Sequence, residues 1–338
     1  MKSIVCEQPY QFKMTEAEKP VPKLGEALIR VRRIGICGTD IHAYEGNQPF
    51  FTYPRILGHE LSGYIEFIPE NVSGLEVGDQ VSVIPYMECG ECIACKSGKT
   101  NCCTDMKVLG VHKEGGMQEW IVVPYNHLVK TEGLTLDQSA MIEPLSIGAH
   151  AVRRAAIKEG EFVLVIGAGP IGLGVMAFAK EKGAIVIAMD VNEERLTFAS
   201  KWANVDFQLN VMKQPMERLA ELTNGEMPTV VFDATGNAKS MMESFKYPAH
   251  GGKLIFVGLV KSNITFNDPD FHSKELTLMG SRNATREDFN YVVDTLNKGT
   301  IDLSLYISHR TSLGELIPQF EKWLTPEAKV IKAIVEIN

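Results

Sequence analysis

The chain has 338 residues, room for about two domains of ordinary size, and 45% hydrophobic with 22% charged residues is the balance of a protein that buries a sizeable core. A formal net charge of -8 argues against a protein that coats nucleic acid or anionic membrane, and 29 Gly with 16 Pro are too few for collagen or a low-complexity polymer. Seven Cys are too sparse for a disulfide scaffold, but five of them fall between Cys89 and Cys103, which reads first as a metal site.

The start, MKSIVCEQPYQFKMTEAEK, has charges at Lys2, Glu7 and Lys13 and no apolar stretch of the secretory type, so the chain reads as cytoplasmic. Short runs such as EALIRVRRI, LSGYIEFI, DQVSVI and QEWIVVP come next, separated by turn residues, as in an irregular β module. From Glu161 the texture changes. The runs FVLVI, AIVIAMD, TVVFDATG, GKLIFVGL and KELTLMG are short, apolar and spaced by helical patterns, which suggests buried parallel strands. Residues 162–179 carry no charge and reach the minimum length of a membrane span. The residues Gly167, Gly169, Pro170, Gly172 and Gly174 interrupt that run, and a strand, a turn and a small-residue helix explain it better. After Gly280, EDFNYVVDTLNKG and GELIPQFEKWL read as helices and KVIKAIVEI as a closing strand. This order suits a dinucleotide domain in the middle of the chain, with the two ends forming the other domain together.

Gly167, Gly169 and Gly172, with Pro170 and Ile171 between them, form a G-x-G-x-x-G turn between a strand-like and a helix-like run. Glycines there allow the tight turn, close approach of backbone to pyrophosphate, and helix-on-sheet packing. Asp190 ends the next strand-like run, where a carboxylate takes ribose hydroxyls and repels a 2'-phosphate, so NAD is favoured over NADP. Arg195, close behind, weighs the other way.

Cys89, Cys92, Cys95 and Cys103 have the spacing C-x2-C-x2-C-x7-C. Four thiolates can wrap one tetrahedral zinc and leave no position for a substrate, so such a zinc is structural. Cys102 is the alternative fourth ligand. A second set is dispersed: Cys37 in GICGTD, His59 and Glu60 in GHE, and Glu143 in IEPL. Taken singly, each has an ordinary explanation as a buried thiol, a loop imidazole or a helix boundary.

The stretches GICGTDIH, LGHELSG, the Cys cluster, GGMQEWIVVP, IEPLSIGAHA and GAGPIGLG, in this order, resemble the zinc-dependent medium-chain alcohol dehydrogenases over essentially the whole chain. The resemblance implies an α/β plus β fold: a GroES-like catalytic domain, residues 1–150 and 285–338, with an inserted Rossmann NAD-binding domain, residues 151–284. It implies NAD and two zinc ions per chain, one structural and one catalytic, in a homo-oligomer that is a dimer or a tetramer. Cys37 and His59 are then ligands of the catalytic zinc, with Glu60 and Glu143 as alternatives for the next position. A Glu at 143 is similar to the sorbitol dehydrogenase branch. Thr39 and His42 fall where the family has a proton relay, Asp40 is structural, and Lys332 matches a basic position that meets the pyrophosphate.

Arg282 matches a substrate-side Arg of polyol dehydrogenases. The loops GNQPFFTYPR, VIPYMECGECIACKSGKTNCC, DPDFH and GSRNATREDF resemble sugar-acid dehydrogenases of this family, which implies oxidation of the C5 hydroxyl of L-galactonate to D-tagaturonate. Asn47, Arg55 and His112 are then expected near the substrate. A polyol dehydrogenase or an L-threonine 3-dehydrogenase is the alternative.

Overall fold

A computed structural model of the chain describes every residue except 49, 50, 71 and 73; the middle of GNQPFFTYPR thus lies outside the described residues. The chain forms two compact units, Met1–Glu143 with Thr285–Asn338, and Pro144–Ala284.

The first unit is organised around the long strand Glu26–Ile36. That strand pairs antiparallel with Glu60–Phe67, Trp120–Pro124 and the closing strand Lys332–Glu336. The sheet extends through Gln80–Val83 and Leu128–Lys130 on one side and Ile307–Ser312 on the other. Ile29, Ile34, Leu61, Ile65, Val81 and Val335 meet in its core, the β-branched and aliphatic surface that suits a pleated, buried face. Strand register places the end of the chain. Gly35 lies opposite Glu60 on one side and Ile334 on the other, so the last strand arrives where the central strand runs into Cys37.

The second unit holds six parallel strands among the described residues, in the order Phe207–Asn210, Ile185–Asp190, Phe162–Ile166, Val230–Asp233, Lys253–Phe256, Thr277–Gly280. Numbered along the chain, that order is 3-2-1-4-5-6. Such a sheet opens a crevice beyond the carboxyl ends of its first and fourth strands, where the winding reverses. Val163, Leu164, Val165, Val186 and Ile187 are fully buried, which is why these strands read as unbroken apolar runs. The uncharged stretch at 162–179 divides into the strand Phe162–Ile166 and most of the helix Pro170–Glu181. Among the described residues no helix is long and apolar enough to cross a membrane.

Candidate active site

The central strand of the first unit delivers Cys37 to the N-cap of the helix Gly38–Tyr44. Asp40, 1% exposed, accepts from the Cys37 N–H at 2.9 Å and from the Gly58 N–H at 3.0 Å. It thereby ties the Cys37 turn to the loop carrying His59. The ligand atoms of Cys37, His59 and Glu60 all lie within 4.8 Å of one another. Glu143 enters from the first turn of the helix Ile142–Ala155, and its Oε1 accepts a hydrogen bond from the Tyr86 hydroxyl. Burial pushes Glu143 up to about 7, with His59 opposing and Glu60 adding to it. Burial, and then the Glu143 carboxylate, hold the Tyr86 hydroxyl well above its ordinary range, so the phenol is the donor in that bond.

Lys332 differs from its expected place at the pyrophosphate. Its ammonium is buried and donates to Glu60 Oε1 at 2.5 Å, Glu60 Oε2 at 2.7 Å and the Ile36 carbonyl at 3.1 Å. An ammonium has three N–H bonds, and all three are engaged. The same spot explains a glycine: a Cβ on Gly35 would lie 2.0 Å from Glu60 Oε2.

Acidic groups crowd this cluster. Cys37, Asp40, Glu60 and Glu143 converge there, with Lys332 as the facing ammonium. Burial pulls His59 down, but Cys37, Asp40 and Glu143 push it up further, so the acidic groups around the imidazole outweigh its burial. His59 Nδ1 is buried with no hydrogen-bond partner. A thiolate, an imidazole and a carboxylate are the donors zinc takes in sites that keep one position open for substrate. These residues fit a catalytic zinc.

In the Cys lobe the Sγ atoms of Cys89, Cys92, Cys95 and Cys103 likewise lie within 4.8 Å of one another. Backbone N–H groups point at the sulfurs: Cys89 to Cys103 at 3.2 Å, Cys92 to Cys89 at 3.4 Å, Asp105 to Cys103 at 3.3 Å. Such bonds favour the thiolate, and those from Cys95 and Thr104 help draw Cys92 down to about 5. Cys102 is exposed and stands outside the set. This lobe fits a closed four-thiolate zinc.

In the second unit the helix Pro170–Glu181 starts at Gly169 with no side chain capping it, so its first-turn N–H groups are open to an anion. A Cβ on Gly169 would meet nothing within 4 Å, whereas one on Gly172 would lie 1.8 Å from the Gly167 carbonyl oxygen. Gly172 is therefore required for the turn to close, and the space at Gly169 is a cradle in front of the helix. Pro170 and Ile171 form the first turn. Asp190, 8% exposed, accepts from the Ala168 N–H at 2.7 Å and the Asn192 N–H at 2.9 Å, which anchors the glycine turn to the neighbouring strand. Arg195 is exposed on the helix Glu193–Ala203. The turn fits a dinucleotide.

The other candidates divide. Thr39, half-buried, and His42, exposed, sit on one helix three residues apart, the spacing that puts side chains on one face. Asn47 is exposed and donates to Glu45 at 3.4 Å. Arg55 departs from its expected role: it donates to Glu114 at 3.0 Å and to Thr52 at 3.2 Å, so its charge is matched by a carboxylate of its own unit. His112 is exposed, and its Nδ1 accepts from the Val108 N–H at 3.1 Å. Arg282 belongs to the second unit, exposed just beyond the strand Thr277–Gly280. Sequence reasoning misses Tyr86 and Gly35 as site residues. Tyr86 sits in VIPYMEC, three residues before Cys89, with no motif to single it out.

Comparison with known proteins gives two family matches. The alcohol dehydrogenase GroES-like domain matches residues 23–133, and the zinc-binding dehydrogenase family matches residues 170–298. An L-galactonate-5-dehydrogenase of Escherichia coli K12 is 43% identical over 335 residues, 99% of this chain and 98% of that one. A 2-dehydro-3-deoxy-L-galactonate 5-dehydrogenase of Pseudoalteromonas atlantica is 32% identical over 97% of this chain and 96% of that one. Among solved structures, an alcohol dehydrogenase from Escherichia coli CFT073 complexed with NADH superposes with a TM-score of 0.93 at 32% identity, covering 100% of this chain and 99% of that one.

Proposed function

The chain belongs to the zinc-binding dehydrogenases with a GroES-like alcohol dehydrogenase domain, and from that premise we propose that it oxidises the C5 hydroxyl of L-galactonate, giving D-tagaturonate, with NAD as acceptor. The observation that carries the chemistry is the cluster of Cys37, His59 and Glu60, three ligand atoms within 4.8 Å of one another in a pocket rich in acids. The substrate is supported by 43% identity to an L-galactonate-5-dehydrogenase along nearly its whole length.

Cys37, His59 and a glutamate would hold a zinc ion, which would supply Lewis-acid polarisation of a hydroxyl, and a bound nicotinamide would accept the hydride from the carbon that bears it. The protein's own residues do the rest. Thr39 takes the hydroxyl proton, and His42, one helical turn on and 62% exposed, passes it to solvent. An imidazole suits that step because its ordinary pKa lies near neutrality. Asp40 fixes the Cys37 turn against the His59 loop. Asp190 holds the ribose hydroxyls, and the open helix start at Gly169, Pro170, Ile171 and Gly172 receives the pyrophosphate. Cys89, Cys92, Cys95 and Cys103 would hold a structural zinc.

With an overall charge of -8, the field of the whole protein repels a sugar acid, so local cations must hold it. The substrate carboxylate is assigned to Arg282, on the match of its position to a substrate-side Arg of polyol dehydrogenases. The outer strand Thr277–Gly280, with Leu278 40% exposed, offers an open sheet edge of the kind that pairs with a second copy, which supports a homo-oligomer. The test is NAD reduction with L-galactonate, other aldonates, sorbitol and L-threonine as separate substrates. Turnover of L-galactonate well above the others is expected; strong turnover of a polyol or threonine with none of L-galactonate would overturn the substrate.

A further inference from the structure

We propose that Tyr86 keeps the substrate position open at the Cys37–His59 centre by holding Glu143 off the metal. This rests on the zinc reading above and goes one step further. Cys37, His59, Glu60 and Glu143 are four donors, and four protein donors close a zinc site, as in the Cys lobe. An active centre with this inventory therefore needs a device that withholds one carboxylate.

The two glutamates are held differently. Glu60 is fully buried, with both oxygens on Lys332 and its Oε2 in the space that a Cβ at Gly35 would need. In that fixed position it still belongs to the set with Cys37 and His59. Glu143 lies outside the set. Its Oε1 is engaged by a neutral phenol, the Tyr86 hydroxyl, and Tyr86 itself is immobilised. It is 5% exposed, it lies on the short strand Tyr86–Met87 paired with Lys107–Val108, and its ring meets the edge of Phe289 at a centroid distance of 6.4 Å. Phe289 is fully buried.

A phenylalanine at position 86 keeps this packing and removes the hydroxyl alone. The Glu143 oxygen would then be buried and unbonded, a costly state for an acceptor and more so for a charged one. A neighbouring cation is the partner to which it would turn, and Glu143 would complete a four-donor site. Tyr86 is in this sense a positioning residue, acting through Glu143.

The test uses Tyr86→Phe, Glu143→Gln and the double variant, each isolated with its zinc. Zinc per chain is counted, release to a chelator is monitored with the Cys-lobe zinc as internal reference, and cobalt is exchanged into the centre to read its visible spectrum. Tyr86→Phe is expected to keep two zincs and to release the centre's zinc at least about fivefold more slowly, the low end for an unpaired buried acceptor gaining a partner. Its cobalt spectrum should no longer respond to added azide. The slow release should vanish in the double variant, because an amide is a poor ligand, whereas a packing effect of the Phe would persist. Release from Tyr86→Phe as fast as from wild type, or faster, overturns the proposal. Should Tyr86→Phe not fold, Glu143→Gln alone decides. Unchanged release is expected from a residue already off the metal, and accelerated release would place Glu143 on it and overturn the proposal. One zinc per chain in the wild type would remove the zinc reading itself, and this proposal with it.

Discussion

Replacing Lys332 by Met keeps most of the side-chain volume and removes one charge from a pair buried to 3% and 1% exposure. Glu60 then loses two charge-assisted bonds, at 2.5 and 2.7 Å, and sits as an unpaired carboxylate in the interior. Removing one partner of a buried ion pair costs about 3–5 kcal/mol, a large part of the roughly 5–15 kcal/mol that holds a domain together. For a unit of this size each kcal/mol moves the midpoint by about 2–4 °C, so the metal-free variant should melt about 6–20 °C below wild type. Zinc offers Glu60 a second cation, and the deficit should shrink when the protein is loaded. Adding Glu60→Gln, which removes the stranded charge, should recover part of the loss. The assay is thermal unfolding by circular dichroism at pH 7, with and without zinc, on wild type, Lys332→Met and the double variant. A metal-free Lys332→Met that melts within about 2 °C of wild type would refute the reasoning.

Cys103→Ser should lose one zinc per chain while Cys102→Ser keeps both, by elemental analysis; equal loss in the two would remove Cys103 from the site. Gly172→Ala puts a methyl 1.8 Å from the Gly167 oxygen, so the turn must open; the NADH dissociation constant by fluorescence titration should rise about tenfold or more, the factor that about 1.4 kcal/mol gives, and an unchanged constant would count against the cradle. Asp137 is raised by burial but lowered more by Arg310 and Arg33, which donate to it at 2.6 and 2.9 Å. A carboxyl depressed in the folded state contributes stability above its unfolded pKa of about 3.9 and loses it as pH falls through the folded value. Asp137→Asn should therefore melt below wild type by a constant margin from pH 6 to 8, with the gap closing below about pH 4; a gap independent of pH would point to packing instead. Thr39→Val should retain zinc and turn over about 10²-fold more slowly, the scale of lost acid–base assistance, and unchanged turnover would rule out the relay.

Local patterns carried the strands and the turns because local geometry determines them. The apolar runs FVLVI, AIVIAMD, TVVFDATG, GKLIFVGL and KELTLMG contain five of the six parallel strands described, the outer strand Phe207–Asn210 lying in none of them, and the G-x-G-x-x-G spacing marks a turn that only small residues can close. The Cys lobe is legible for the same reason, with four ligands inside fifteen residues. Cys37, His59 and Glu143 needed the whole-chain resemblance, since nothing in their own neighbourhoods distinguishes a ligand from a buried residue. Lys332 shows where sequence reading stops. Its partner Glu60 is 272 residues away, and they meet through the register of two strands on the Glu26–Ile36 strand, with room left by Gly35. Arg55 is a similar case, because the carboxylate that engages it, Glu114, lies 59 residues on. Tyr86 was invisible because a tyrosine in an apolar strand reads as core until its hydroxyl is seen against Glu143.

The central claim is a hydride transfer from C5 of a sugar acid to a nicotinamide, and L-galactonate carrying deuterium at C5 tests it in one vessel. With NAD and the zinc-loaded enzyme, mass spectrometry should find one deuterium on the reduced nicotinamide and none in the D-tagaturonate formed. Reduced cofactor without deuterium, or no reduced cofactor at all, would contradict it.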